Sequence, residues 1–298
     1  MIYTLRATTM AELHALQSRM MTRGPIEQGL AFRPRPGDVI IAPFGKCGTT
    51  WLQQIFHTLR TRGETEFDDI SAVVPWIEAA AALGQDLNAE QKASPRGFKS
   101  HLGWDAVPKG GRYIVSLRDP KDALVSAFRF MEGWFIEPGT ITLAEFAREY
   151  MQGRAGHSYW SHLASWWAMR HDPAVLMLSY EHMHRDPEDT IRRVAAHSGI
   201  PLDDALLDLT LRHSSLEFML ANKSQFDDLG MRTLSERHCG LPPGSDSAKV
   251  RLGQVGSHRT ELTGEVAAEM DARWAEHITA RFGYADYAAL EAALMRGE

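Results

Sequence analysis

A short polar stretch, GKCGTTW at residues 45–51, has the residue types of an anion-binding loop. It follows the apolar run VIIA at residues 39–42, which is typical of a buried strand, and it precedes a segment whose apolar residues have helical spacing. The free N–H groups of a helix start, the helix dipole and the ammonium of Lys46 would together favour an anion. Thr49 and Thr50 add hydroxyl donors. The alternative is a plain strand-to-helix turn capped by Thr49.

The position of the lysine in this loop argues against a nucleoside triphosphate. In an ATP- or GTP-binding P-loop, the residue after the lysine is Ser or Thr, and its hydroxyl holds Mg²⁺. Here Cys47 and Gly48 separate Lys46 from the first threonine. The stretches HMH (residues 182–184) and RHC (residues 237–239) lack the partner spacing of a zinc site. The sequence therefore predicts an anion that is held without a metal ion.

The composition narrows the class of protein. The chain has 298 residues, of which 44% are hydrophobic and 23% are charged, and its formal net charge is −6. These values are typical of a globular protein, and the negative net charge argues against a general nucleic-acid binder while allowing a locally positive pocket. Two cysteines cannot form a disulfide framework, so we expect a reducing cytoplasm. We expect no secretory signal, because the N-terminal stretch MIYTLRATTMAEL has no uninterrupted apolar region, and no membrane span, because no apolar run approaches ~18 residues.

Strand and helix patterns alternate along the chain. Strands are predicted at residues 38–43, 97–101, 112–118 and 174–180, and helices at residues 50–59, from 119, from 185 to Gly199 and at 264–282. This order predicts a single α/β domain over residues 1–298, with a central parallel sheet flanked by helices on both faces. Residues 1–37 would form an N-terminal extension with one helix. Residues 223–249 show no clear periodicity and are predicted to be a flexible lid loop.

Six segments, taken in order, resemble the motifs of the PAPS-dependent sulfotransferases of the cytosolic type. GKCGTTW resembles the loop KSGTTW of that family, with Cys47 in place of serine. The other five are FKSHLGWDAVP (98–108), YIVSLRDPKDALVSAFRF (113–130), SYWSHLASWWAMR (158–170), LMLSYEHMHRDP (176–187) and VRLGQVGSHRTELT (250–263). The resemblance implies the P-loop-like sulfotransferase fold. It also implies transfer of a sulfuryl group from PAPS (3′-phosphoadenosine 5′-phosphosulfate), which leaves the desulfated product PAP.

The resemblance further implies which residues bind this cofactor. The 5′-phosphosulfate would be held by the loop residues Lys46, Cys47, Gly48, Thr49 and Thr50. The adenine would stack on Trp51, and further adenosine contacts would come from Tyr180, Ser214 and Leu216. The 3′-phosphate would be held by Arg118 and Ser126, under a clamp formed by Arg251, Leu252 and Gly253.

His101 is the predicted catalytic base. An acceptor hydroxyl must lose its proton as it attacks sulfur, and an imidazole with a pKa of ~6.5 can take that proton near neutrality. The chain has 13 histidines, so the assignment depends on the K-x-H arrangement that His101 shares with the family. Lys99 would lie on the same strand face, because strand side chains alternate, and could help with charge on the transferring group. Lys46 would stabilise the leaving oxygen.

The sequence does not identify the acceptor beyond a small alcohol or phenol of apolar or aromatic character. The aromatic run at residues 128–135, with Trp76, is predicted either to line an acceptor pocket or to form helix core. The loops at residues 67–87 and 223–249 are expected to complete the pocket. The short dimer motif of the family is not evident, so we expect a monomer or a homodimer.

Two alternatives to a transferase stay open at this point. A protein that binds PAPS or PAP without transfer would suit the departures at Cys47, at Leu252 (lysine in the family) and at residues 257–260 (DWKN in the family). Leu216 also stands where the family often has an aromatic residue. A P-loop kinase would share the strand–loop–helix arrangement, but it would need a hydroxyl residue directly after Lys46.

Overall fold

The computed structural model describes residues 6–153, 157–244, 249–250 and 253–298. Within them, four strands form one sheet with parallel pairings: β1 (Val39–Ile41), β2 (Gly97–Lys99), β3 (Arg112–Leu117) and β4 (Val175–Ser179). Their order across the sheet is β2-β1-β3-β4. Val39 lies opposite Gly97 on one side and Arg112 on the other, so the segments that follow these three strands leave the sheet at one edge. The predicted parallel sheet is confirmed.

Helices surround this sheet. In chain order they are α1 (Met10–Met20), α2 (Arg23–Leu30), α3 (Thr49–Thr61), α4 (Ile70–Val73), α5 (Pro120–Glu132), α6 (Leu143–Gln152), α7 (Tyr159–Trp167), α8 (Tyr180–Arg185), α9 (Pro187–Ser198), α10 (Asp204–His213), α11 (Leu216–Ala221), α12 (Leu229–Cys239), α13 (His258–Glu261), α14 (Gly264–Trp274), α15 (Ala280–Phe282) and α16 (Tyr287–Arg296). A 3₁₀ turn spans Lys223–Phe226, and a π-helical segment, Ala275–Thr279, joins α14 to α15. The helix predicted at residues 264–282 is therefore continuous, with a π-helical middle.

The two faces of the sheet are buried in separate hydrophobic cores. Ile40 and Val115 belong to the larger core, which also takes side chains from α1, α5, α7, α12, α14 and α16. Ile41 and Ile114 belong to the second core, which takes side chains from α3, α9 and α10. Because successive strand residues point to opposite faces, both faces need apolar side chains. This explains the continuous apolar run in β1.

Two predictions about segments outside the sheet are wrong. The described part of the N-terminal extension, residues 6–37, contains two helices, α1 and α2, where one was expected. Residues 223–249 are not a loop throughout, because α12 occupies Leu229–Cys239. The thiol of Cys239 lies 3.1 Å from the carbonyl oxygen of Leu16 in α1. Polar residues interrupt the apolar spacing of α12, and its packing against α1 is a tertiary contact that spacing does not reveal.

Candidate active site

A cavity of about 570 Å³ opens at the edge where the strands end. Its walls come from the loop after β1, the ends of β2 and β3, helices α5, α8 and α11, and parts of residues 228–257. The predicted site residues that line it are Lys46, Gly48, Thr49, Thr50, Trp51, Lys99, His101, Arg118, Ser126, Tyr180, Ser214, Leu216 and Gly253. Arg251 and Leu252 lie outside the described residues. The structure thus gathers into one cavity residues from widely separated motifs.

The loop after β1 has a tight backbone conformation. Lys46 and Gly48 both have positive φ, 68° and 95°, and the amide of Cys47 donates to the carbonyl of Phe44 at 3.1 Å. Gly48 is the N-cap of α3, and the first-turn amides of a helix have no acceptor within it. The hydroxyl of Thr49 is buried and has no hydrogen-bond partner among the described residues. Amides and a free hydroxyl at a helix start are donors for an anion.

The side chain of Cys47 lies in the larger hydrophobic core and is not part of the described cavity lining, so only its backbone can serve the predicted phosphosulfate contact. Its side chain is 1% exposed, its amide is already bonded to Phe44, and burial raises the pKa of its thiol to about 12. Its carbonyl accepts a hydrogen bond from the hydroxyl of Ser116 in β3. The backbone of Cys47 therefore joins the loop to the neighbouring strand, and the neutral thiol does no ionic chemistry.

Arg118 follows β3 and is buried beside the loop. Its guanidinium donates to the carbonyls of Lys46, at 2.9 Å, and of Gln254, at 3.1 Å. It lies 4.3 Å from the ring centroid of Tyr180, within range of a cation–π contact. Its Nε has no hydrogen-bond partner among the described residues. Arg118 thus joins the loop to the segment after Gly253 and keeps a buried donor for a ligand.

Three aromatic rings form the adjoining wall of the cavity. The rings of Trp51 and Tyr180 lie 5.9 Å apart between centroids, and the ring of His184 lies 5.6 Å from Trp51 and 5.7 Å from Tyr180. The indole N–H of Trp51 is buried without a partner in the described part of the chain. His184 is not among the predicted site residues, because its HMH stretch lacks the spacing of a zinc site and the family resemblance gives it no role. Its role becomes visible only when α8 is placed against α3.

His101 lines the same cavity, where the charges of Lys99 and Lys249 act on its ring. Its Nδ1 is 2.8 Å from the carbonyl oxygen of Pro43, which can only accept, so Nδ1 carries the proton and Nε2 stays free to accept one. Glu78 accepts a hydrogen bond from the backbone N–H of His101 at 2.8 Å, and the ring of Trp76 packs edge-on at 5.3 Å. Burial and the charge of Lys99 lower the pKa of His101 well below its usual value, so the ring is neutral.

Three lysines and one aspartate lie close to this histidine. The ammonium nitrogens of Lys249 and Lys99 are 2.5 and 3.9 Å from the same oxygen of Asp228. Burial and the charge of Lys249 lower the pKa of Lys46 to about 7. Burial lowers the pKa of Lys99 to about 8. A bound anion would raise both values, because it favours the ammonium form. Asp228 and Lys249 were not predicted, since neither belongs to a motif that sequence reasoning recognised.

The remaining wall is apolar. It is formed by Met20, Trp76, Phe130, Met131, Trp134, Phe135 and Met231. The aromatic run at residues 128–135 therefore serves both predicted purposes, because Phe128 packs in the core while the other aromatic rings of the run line the cavity. The ammonium of Lys46 lies 4.3 Å from the ring centroid of Phe130, so the apolar wall begins next to the anion loop.

Within the described ranges, no group of three or more His, Cys, Asp or Glu side chains is placed to hold a metal ion. His182, in the HMH stretch, instead lies 2.8 Å from a carboxylate oxygen of Asp189. None of the helices in those ranges is long and apolar enough to cross a membrane.

The fold and the site together define a P-loop-like α/β protein with an anion-binding cavity at the edge where the strands end. Comparison with known families is more specific: the sequence model described as "Sulfotransferase domain" matches residues 36–281. The chain belongs to the sulfotransferase family and is a PAPS-dependent sulfotransferase. The resemblance drawn from the six segments is confirmed.

Individual relatives give the extent of the similarity. Sulfotransferase 1B1 of Canis lupus familiaris is 32% identical over 203 residues, which are 64% of this chain and 69% of that protein. Sulfotransferase 1C2 of Homo sapiens is 26% identical over 245 residues, or 78% of this chain and 80% of that protein. A solved structure of retinol dehydratase with androsterone and inactive cofactor PAP has a TM-score of 0.70 at 18% identity, and covers 93% of this chain and 96% of that one. Mouse sulfotransferase SULT7A1 complexed with PAP has a TM-score of 0.67 at 21% identity, and the coverage is 93% and 95%. These two structures establish the shared fold.

Proposed function

We propose that this sulfotransferase moves the sulfuryl group of PAPS to a hydroxyl of a small apolar or aromatic acceptor, with His101 as the general base. The observation that carries the proposal is the fixed tautomer of His101. The hydrogen bond from Nδ1 to Pro43 leaves Nε2 as a proton acceptor in a cavity that is cationic on one side and apolar on the other.

The residues of the loop fit the phosphosulfate end of PAPS. The first-turn amides of α3 and the ammonium of Lys46 would hold it, and the partnerless hydroxyl of Thr49 is a further donor. The lowered pKa of Lys46 supports this role, because a buried ammonium next to other cations is stabilised by a bound anion. The fit concerns the backbone and side chains of Gly48 to Thr50, while Cys47 only supports their shape.

The residues around Arg118 fit the 3′-phosphoadenosine end. The unpaired Nε of Arg118 and the hydroxyl of Ser126 line the same cavity and would hold the 3′-phosphate. Trp51 and Tyr180 offer ring surfaces on which an adenine can stack. The adenosine contacts would be completed by Ser214, Leu216 and Gly253, with Arg251 and Leu252 kept as sequence-based members of the clamp.

The catalytic residues divide the work between proton and charge. When bound, PAPS supplies an activated sulfuryl group. The bridging S–O bond breaks as the acceptor oxygen bonds to sulfur, and the electron pair of the broken bond leaves with the phosphate. His101 takes the hydroxyl proton of the acceptor at Nε2. Lys46 and Lys99 face the region where negative charge develops and stabilise it. General-base assistance of this kind is typically worth roughly 10²–10⁴-fold in rate.

The apolar wall supports an apolar acceptor. Aromatic and methionine side chains next to Lys46 can bury a flat or aliphatic body while its hydroxyl reaches His101. Among the relatives, one is a 3-alpha-hydroxysteroid sulfotransferase of Cavia porcellus and one is an amine sulfotransferase of Oryctolagus cuniculus. Hydroxyl acceptors are the better proposal for this chain, because a base is needed chiefly when the acceptor proton is on oxygen.

The test is a transfer assay with PAPS and a panel of phenols, aliphatic alcohols and amines. We expect transfer to at least one apolar phenol or alcohol, without added metal, and tight binding of PAP in calorimetry. Binding of PAP with no transfer to any acceptor would instead favour a binding protein. Transfer to amines alone would overturn the hydroxyl assignment, and turnover of Mg²⁺-ATP would favour a kinase.

A cytoplasmic location and a monomeric or homodimeric state complete the proposal. Both cysteines are buried free thiols, which suits a reducing compartment. Cell fractionation tests the location, and light scattering on the purified protein tests the oligomeric state.

A further inference from the structure

Among the described residues, Asp228 is the only carboxylate that lines the cavity, which also contains Lys46, Lys99, Lys249 and Arg118. A negative charge in an anion-binding cavity repels the anion, and a buried carboxylate also costs desolvation energy. A buried carboxylate at this place is therefore expected to have a favourable interaction that offsets these two costs. The surrounding ammonium groups are the partners for such an interaction.

The backbone and neighbours of Asp228 fix the position of its carboxylate. Asp228 directly precedes α12 with φ of 51°, a left-handed conformation that is uncommon for a residue other than glycine, and it is 4% exposed. Its Oδ1 also lies 3.4 Å from the hydroxyl of Ser71. Two residues later, the amide of Gly230 donates to Asp69 at 3.1 Å. The carboxylate is thus held between α12 and the segment that carries α4.

The carboxylate compensates two buried ammonium groups beside the catalytic histidine. Lys249 forms a close ion pair with it at 2.5 Å, and Lys99 lies at 3.9 Å from the same oxygen. The other side of Lys99 is the indole of Trp76, 4.3 Å from its ammonium nitrogen. Trp76 also packs against His101. Without Asp228, two like charges would face each other in a buried site.

We propose that Asp228 is a positioning residue of the transfer reaction: it holds the ammonium groups of Lys99 and Lys249 at the acceptor side of His101. Asp228 directly precedes α12, and α12 supplies Met231 to the apolar wall. The contact of Asp228 with the two lysines therefore also connects the apolar wall to the region of His101. The inference rests on the proposed function, since Lys99 and His101 act together only if the chain transfers a sulfuryl group.

The charged groups around Lys99 determine the direction in which its pKa should change when one of them is removed. The charged or titratable groups that influence it or are influenced by it are Lys46, Asp69, Glu78, His101, Asp228 and Lys249. Burial lowers the pKa of Lys99, Asp228 raises it, and Lys249 lowers it. Lys46 responds to Lys249 and Asp228 in the same senses. Both lysines must be charged to stabilise the leaving anion, so activity should fall on the alkaline side as they lose their protons.

The experiment compares Asp228→Asn with Lys249→Met in pH profiles of kcat/KM for PAPS at a fixed, saturating acceptor. Asp228→Asn should move the alkaline limb of the profile, where activity falls as the lysines lose their protons, to lower pH. It should also reduce kcat about tenfold or more at neutral pH. Lys249→Met should move the same limb to higher pH. Asp227→Asn is the matched control, because it weakens an ion pair with Arg232, 2.9 Å long, at the same helix start. It should leave the limb where the wild type has it.

PAP binding separates positioning from general damage. Asp228→Asn removes a negative charge from an anion site, so calorimetry at a pH below the alkaline limb of the variant, where Lys46 and Lys99 are charged, should show PAP affinity equal to or higher than that of the wild type, although kcat falls. Weaker PAP binding together with lower kcat would mean a collapsed site and would overturn the proposal. A merely structural role would not move the two alkaline limbs in opposite directions.

The outcomes are kept apart from those of the proposed function by testing the wild type first. If the wild type does not transfer sulfate, the proposed function fails and takes the inference with it. If the wild type transfers, limbs that do not move or that move in the same direction overturn the role of Asp228 alone. If Asp228→Asn does not fold, Lys249→Met is the deciding variant. An alkaline limb that does not move to higher pH in Lys249→Met then overturns the proposal.

Discussion

Replacement of His101 by alanine tests the general base, and the contacts of the ring bound its structural cost. Among the described residues, the ring makes one hydrogen bond, from Nδ1 to Pro43, and one edge-on contact, with Trp76. A hydrogen bond contributes ~0.5–1.5 kcal/mol and an aromatic contact ~0.5–1.5 kcal/mol, so the free energy of unfolding should fall by about 1–3 kcal/mol. The variant should therefore stay folded at room temperature.

The effect on catalysis should be much larger than this structural cost. Transfer should fall roughly 10²–10⁴-fold, because Nε2 of His101 is lost as the proton acceptor. PAP binding should stay close to that of the wild type, since the ring belongs to the acceptor end. The pH profile gives a second test, because protonation removes the base and activity falls as the pH drops through the pKa of His101. Since burial and Lys99 lower that pKa, the wild-type rate should persist below pH ~6.5 before the acid limb appears.

His162→Ala is the matched control for this variant. His162 is buried, and its Nε2 lies 3.0 Å from the carbonyl of Ala42, the residue before Pro43. It contacts the ring of Phe44 edge-on but does not belong to the described cavity lining. Initial rates with a phenol accepted by the wild type, thermal melts and PAP calorimetry should be measured for both variants. Undiminished transfer by His101→Ala, or an equal loss in both, would refute the base assignment.

Three further substitutions test the cofactor end of the cavity. Arg118→Lys should weaken PAP binding about tenfold or more in calorimetry, because lysine cannot keep both carbonyl bonds and the free Nε donor, and unchanged affinity would contradict the phosphate role. Gly48→Ala should lower both the unfolding free energy, by ~1–2 kcal/mol in denaturant melts, and the PAP affinity, because φ is 95° and a Cβ would lie 3.1 Å from the ring of Tyr180. Cys47→Ser should leave PAP affinity unchanged while costing ~1–3 kcal/mol of stability for a buried hydroxyl, and a marked gain in affinity would show that residue 47 faces the ligand after all.

The sheet and much of the site could be predicted because their signals are local. A buried parallel strand needs a continuous apolar run, and a helix start after it needs small or hydroxyl residues, so β1, the loop and α3 are encoded within residues 38–61. The family motifs added Arg118 and Tyr180, which the structure places at the same cavity as Lys46. The carboxyl ends of adjacent parallel strands meet at one edge, so their motifs could be expected to converge.

Other features depended on contacts between distant segments. The side chain of Cys47 lies in the core and its carbonyl is bonded to Ser116 of β3, and neither contact can be read from the loop alone. The helix α12 forms against α1, and this packing outweighs its weak apolar spacing. His184 joins the aromatic wall only through the placement of α8.

The amino-acid sequence by itself determined the sulfotransferase family, the parallel sheet and the anion loop with Lys46, because each is written in a contiguous stretch. Only the tertiary structure decided the tautomer of His101, which depends on the carbonyl of Pro43 in another strand's loop. It also decided the group of Lys99, Lys249 and Asp228, whose members come from β2 and from two points far along the chain. Charge and hydrogen bonding act over a few ångströms in space, whereas sequence spacing orders residues only along the chain.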